Sequence, residues 1–116
     1  MELLSKSDEE VKGFASKVLA QLIEASNDKN WEKFSSFFVT DDRSIEDAQK
    51  DVENQWDTNP VITTFTQSFD FLGVLRKSDH IVTLWKMRSE SVPDDILGFL
   101  AFKQVGDEAK VYGFRI

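Results

Sequence analysis

The chain has 116 residues, with ten Phe and three Trp against a single Tyr, which is material for one aromatic-rich core but not for two. It contains no cysteine, which excludes disulfides, thiolate catalysis and cysteine-based metal centres. The net charge is −7, and the acids gather at Asp41, Asp42, Glu46, Asp47, Asp51, Glu53 and Asp57. Nucleic-acid and anionic-membrane partners need a basic patch, so both are argued against.

The first residues, MELLSKSDEEVKG, have neither the basic start nor the apolar run of about 7–15 residues of a secretory signal. No stretch approaches the ~18 apolar residues of a membrane span. A single domain over residues 1–116, in the cytoplasm, is the expectation.

Helix signals come first. Ser7 and Glu10 form a capping box, and Val11, Phe14, Ala15, Val18, Leu19 and Leu22 repeat at helical spacing, predicting a helix over 8–26. Asn30 can cap a second helix over 31–38, with Phe34, Phe37 and Phe38 turned inward. A third helix is predicted after Ser44, which with Asp47 makes an imperfect capping box. Its stripe is Ile45, Ala48, Val52 and Trp56, and it stops at Asn59-Pro60 because the residue before proline is pushed out of the helical region.

After Pro60 the period changes. Residues 61–66 read as an extended linker or the start of a strand, and strands are predicted over 68–76, 80–89, 96–104 and 109–116. Gly106-Asp107 is a two-residue hairpin signal. Helices first and strands after is the α+β pattern: three N-terminal helices packed on a curved four-stranded antiparallel meander. With three residues in the first strand turn, Asp70 falls opposite Lys86 and Phe71 opposite Trp85, on opposite faces of the sheet.

Two strands break the alternation of a sheet covered on one side. Residues 69–75 and 96–102 are apolar at both parities, so both faces need cover. One reading is a second copy of the chain, making a homodimer through the sheet. The other is a strongly curved sheet that wraps the third helix and buries both parities by itself.

The order of elements resembles the nuclear transport factor 2-like superfamily, with its ketosteroid isomerase-like and cystatin-like members. The likeness lies in the long first helix, in the short segment 27–38 with its Asn, Trp31 and Phe37-Phe38 pair, and in the last strand, 109–116. The resemblance implies a curved sheet wrapped on helices, a dimer through that sheet, and an apolar pocket between the two layers. Family enzymes carry a hairpin between the second and third helices; here only residues 39–43 are available, so the chain is similar to a pared-down member.

Candidate chemistry is sparse. His80 is the only histidine, sits at a hairpin turn and is expected to be exposed. Asp70, inside an apolar strand, is the candidate general base if a dry pocket raises its pKa; the alternative is a cross-strand pair with Lys86. Tyr112 and Arg115 could polarise a carbonyl or anchor an anion, or simply edge the sheet. Trp56 and Trp85 could line a ligand pocket or fill the core. The acids of 41–51 match no metal-loop spacing, and no metal or cofactor is expected.

Three functions remain open at this point. One is a non-catalytic homodimeric module that binds a partner protein or a small apolar ligand. Another is a small isomerase- or dehydratase-like enzyme with Asp70 as base. The third is an acidic adaptor that docks a basic partner through residues 41–58.

Overall fold

The computed structural model describes residues 5–39 and 45–116. Its elements are α1 (Asp8–Asn27), α2 (Trp31–Ser35), α3 (Ile45–Thr58), a 3₁₀ turn (Pro60–Thr63), β1 (Asp70–Arg76), β2 (His80–Met87), β3 (Ile96–Val105) and β4 (Glu108–Arg115). The strands form one antiparallel sheet in the order β1-β2-β3-β4, which is the predicted α+β meander. No described helix is long and apolar enough to cross a membrane.

The capping box forms as read. Ser7 Oγ accepts from Glu10 N at 3.2 Å and the Glu10 carboxylate accepts from Ser7 N at 3.4 Å, with Asp8, Glu9 and Glu10 at the positive helix end. Val11, Ala15, Val18, Leu19, Leu22 and Ile23 are buried along one face of α1, against Ile81, Trp85, Leu100, Phe102 and Val111 of the sheet. Lys29 takes a left-handed conformation (φ 54°) just past the helix, and Asn30 N then donates to Ala25 O at 2.8 Å. Asn30 Oδ1 accepts from Lys33 N at 3.2 Å and so caps α2.

Two segments differ from the sequence reading. The second helix stops at Ser35 rather than at 38, because the chain turns outward to pair with the sheet: Val111 N donates to Phe37 O at 2.7 Å and Val39 N to Val111 O at 2.8 Å. That pairing covers part of the β4 edge with residues 37–39, which satisfies backbone groups an edge strand would otherwise leave open. Residues 60–63 are a 3₁₀ turn begun by Asn59, whose Oδ1 accepts from Val61 N at 3.2 Å, and only Phe65 beyond them bridges to Ser89. The capping box proposed at Ser44 lies outside the described residues.

The register matches. Asp70 pairs with Lys86 and Phe71 with Trp85, and a bulge between Phe71 and Gly73 shifts the rest of β1. Val105 pairs with Glu108 across the two-residue loop, where Gly106 (φ +61°) supplies the positive φ that primed hairpin turns require.

One expectation is settled by burial. Along β2 the core parity, Ile81, Thr83, Trp85 and Met87, is buried, while His80, Val82, Leu84 and Lys86 are half-buried. The sheet therefore buries one face only and does not wrap α3 to bury both. Leu75, Leu97 and Tyr112 remain 47%, 49% and 53% exposed, on or beside the uncovered face. At 19 Å the thinnest dimension accommodates one layer of helices on one sheet and no third layer.

Candidate functional site

The C-terminal turn of α1 organises the space between helices and sheet. Ser26 is buried there, accepting from Trp56 Nε1 at 3.0 Å and donating to Ile62 O. Asn27 clamps the next segment from both sides: its Nδ2 donates to Phe65 O at 2.8 Å and its Oδ1 accepts from Phe65 N at 3.1 Å. These contacts tie α1, α3 and the chain leading to β1 together around a cavity of about 330 Å³.

Its inner wall is aromatic. Phe34, Trp56 and Phe65 are buried, with Phe34 and Trp56 in an edge-to-face pair at 5.5 Å and Phe38 5.0 Å from Phe34. Among the described residues Val52, Ile62 and Phe114 add to the apolar lining, and Gln55, Asn59, Arg115 and Ile116 form an exposed rim. The size is at the lower end of the ~300–1,000 Å³ of ordinary ligand pockets. Among the described residues every buried side-chain nitrogen and oxygen has a hydrogen-bond partner, so the wall offers an apolar surface with nothing left to satisfy.

Of the five candidate residues, Trp56 and Arg115 border this cavity. Trp85 is buried elsewhere in the core, flanked by Phe69 at 5.4 Å and Phe71 at 5.3 Å. Tyr112 lies on the outer face of the sheet, its ring 5.2 Å from that of His80 and beneath the Lys103 ammonium at 5.3 Å. His80 is less exposed than its turn position suggests, because the Tyr112 ring covers it and Asp79 Oδ1 lies 2.7 Å from its Nδ1.

Asp70 is exposed and outside the cavity. Its register partner is Lys86, but its ion pair is with Arg88 at 2.9 Å, while Lys86 turns to Asp95 at 3.6 Å. The hydrogen bond from the Arg88 guanidinium holds the Asp70 carboxyl below the usual carboxylate range, the reverse of the rise a general base needs. Asp70 and Tyr112 stand on opposite edge strands, three strand spacings or about 14 Å apart across the sheet, too far to share a reacting atom.

Asp47 and Asp51 are exposed on α3, and Asp41 and Asp42 lie outside the described residues. Among the described residues no group of three His, Asp or Glu side chains is placed to hold a metal ion.

Sequence reasoning missed Ser26, Gln55 and Asn59. Ser26 carries the available signal: it follows Leu22 and Ile23 at helical spacing, a polar side chain on an apolar stripe. Replacing it tests the local architecture. Ser26→Ala leaves the buried Trp56 N–H and the Ile62 carbonyl without their partner, and should lower stability by about 1–3 kcal/mol in urea denaturation. A loss within error of zero would mean that water replaces the hydroxyl and that the cavity is wetter than its wall implies.

No family model matches the chain, and neither the curated proteins nor the solved structures give a match.

Proposed function

We propose that the chain is a pared-down nuclear transport factor 2-like domain acting as a non-catalytic homodimeric module, with the cavity between α3 and the end of β4 as its ligand site. The observation that carries the ligand half is the apolar wall itself: about 330 Å³ of space lined by aromatic rings whose polar partners are already satisfied. Such a surface gains from covering by an apolar molecule and has nothing with which to activate a bond. It favours a small apolar ligand over a protein partner as the occupant, because a concave pocket of this size admits a side chain or a small molecule but not a protein surface.

The dimeric half is supported by the uncovered sheet face. Val82, Leu84, Phe99 and Ala101 run across its centre, with exposed Leu97 and Leu75 beside them. Charges ring this area: Asp70, Arg88 and Asp95 at one end, Asp79 and Lys103 at the other. An apolar centre with a polar rim is the make-up of a protein interface, and a two-fold dimer needs one self-complementary patch. A cytoplasmic setting belongs to the same proposal and rests on the sequence alone.

The isomerase-like alternative needs Asp70 in a cavity beside Tyr112 or Arg115. An exposed carboxylate paired with Arg88 gives that reading no support.

The ligand half is tested with a neutral probe. Decanol added to ¹⁵N-labelled protein should move the Trp56 indole N–H resonance, which lies in the cavity wall, and leave that of Trp85 in place. If the Trp56 signal stays fixed at saturating decanol, the cavity is not a ligand site.

A further inference from the structure

The net charge of the chain comes from one half of its sequence. Residues 1–67 carry fourteen acidic and seven basic side chains, whereas residues 68–116, which contain all four strands, carry seven of each. A second copy brings the same charges, so it meets a balanced surface more readily than an acidic one. On the uncovered face the balance is local. At the end nearest the β1–β2 turn, Lys103 Nζ lies 4.0 Å from Asp79 Oδ2 and Lys110 Nζ 3.4 Å from Glu108 Oε2.

His80 stands in the same row. It pairs with Lys103 across β2 and β3, and Lys103 pairs with Lys110 across β3 and β4. The row adjoins Val82 and Ala101, the next outward pair along the sheet. The His80 side chain is 24% exposed, little enough for a covering copy to dry it, and the Tyr112 ring lies 5.2 Å from its own. Asp79 Oδ1 is 2.7 Å from Nδ1, and a carboxylate only accepts, so Nδ1 carries a proton and a second one adds at Nε2. Histidine is the one side chain whose ordinary titration falls between pH 5 and 8, and the chain has no other.

With His80 neutral, each lysine of the row has its own carboxylate. A protonated His80 competes with Lys103 for Asp79, and the row then holds three cations against two carboxylates. The adjoining turn adds no acid beyond Asp79: Lys77 is a further cation, and Arg76 is engaged by Asp8. We infer that the dimer is proton-sensitive, closing through the uncovered face when His80 is neutral and opposed when His80 is an imidazolium. This rests on the homodimer proposed above and adds its regulation. In a free subunit water solvates the extra charge; under a second copy that charge is dried beside Lys103 and Lys110. The dimer therefore binds fewer protons than two free subunits, and its association constant falls as pH falls through the histidine range.

Sedimentation equilibrium at pH 7.5 and 5.5, at equal ionic strength, reads the constant for the wild type and two variants. With two histidines per dimer, the wild-type constant should fall about tenfold or more at the lower pH. His80→Gln, which cannot take a proton, should stay within about twofold of itself. His80→Arg, a permanent cation, should dimerise weakly at both values. Unfolding midpoints recorded on the same samples separate loss of the dimer from loss of the fold. If the wild-type constant is unchanged or rises at pH 5.5, or if His80→Gln falls as far, the inference is overturned and the homodimer stands. A wild type that is monomeric at both values removes the homodimer and the inference together.

Discussion

Trp85→Ala should be the most damaging single substitution in the protein, with a loss of about 3–5 kcal/mol in urea or thermal unfolding. The ring is 1% exposed, with Phe69 and Phe71 edge-on to it, so truncation leaves a large cavity that fixed backbone on β1 and β2 cannot close. A polar chain adds to the loss. Trp85 Nε1 donates to Thr83 Oγ1 at 2.8 Å, and Thr83 Oγ1 donates to Leu100 O at 2.7 Å, in a setting where neither partner meets water. A domain of this size has a total stability of roughly 5–15 kcal/mol, so the variant should be marginal or unfolded at 37 °C.

The contributions separate in a cycle. Thr83→Val strands the indole N–H and should cost about 1–3 kcal/mol in the wild type. In a Trp85→Phe background, where there is no N–H to strand, it should cost less, and the difference between the two is the coupling energy. A loss under about 1.5 kcal/mol for Trp85→Ala would mean that the ring is not packed as described.

That core was the part of the molecule most open to sequence reasoning, and the reasons are local. Ser7 with Glu10, the 3-and-4 spacing from Val11 to Leu22, and Gly106-Asp107 are short-range signals whose physics is complete within a few residues, and each formed as read. The Asp70–Lys86 and Phe71–Trp85 register was legible because a slip of one residue would have set an aromatic against a lysine.

What was not legible depended on distant partners. Phe37 and Phe38 fit a helical stripe, but backbone bonds to Val111, more than seventy residues away, draw them out of the helix. Asp70 was open to two readings, a base in a dry pocket or a cross-strand pair with Lys86, because its strand is apolar at both parities. The face is an uncovered one, the register partner is Lys86 as read, and the cation that meets the carboxylate in solvent is Arg88. The cavity joins Ser26, α3, residues 62–65 and the end of β4, segments that no single stretch of sequence places together. Trp56 and Arg115 were found because a tryptophan on a helical stripe and an arginine in a terminal strand are conspicuous; Gln55 and Asn59 are ordinary surface residues until the fold sets them at a mouth.

The uncovered face yields the second large effect, and Ala101 is the place to read it. It pairs with Val82 on one side and Gly113 on the other, and the space where a Gly113 Cβ would stand is open. A glutamate at 101 therefore has room in an isolated subunit and can reach water, so Ala101→Glu should change the monomer's stability little. In a dimer closed through this face the same carboxylate is pressed into the partner's apolar centre without a cation. An uncompensated buried charge costs about 3–5 kcal/mol, which is a hundredfold or more in the dimer constant. Sedimentation equilibrium should show the wild type as a dimer at tens of micromolar and Ala101→Glu as a monomer with an unchanged unfolding midpoint. Leu97→Glu is the graded companion, because it lies opposite Lys86, which can pair with the new carboxylate, and it should weaken the dimer less. A wild type that sediments as a monomer sinks the homodimer outright. If the wild type is dimeric and Ala101→Glu remains so, the two copies meet elsewhere, and the apolar face belongs to a different protein.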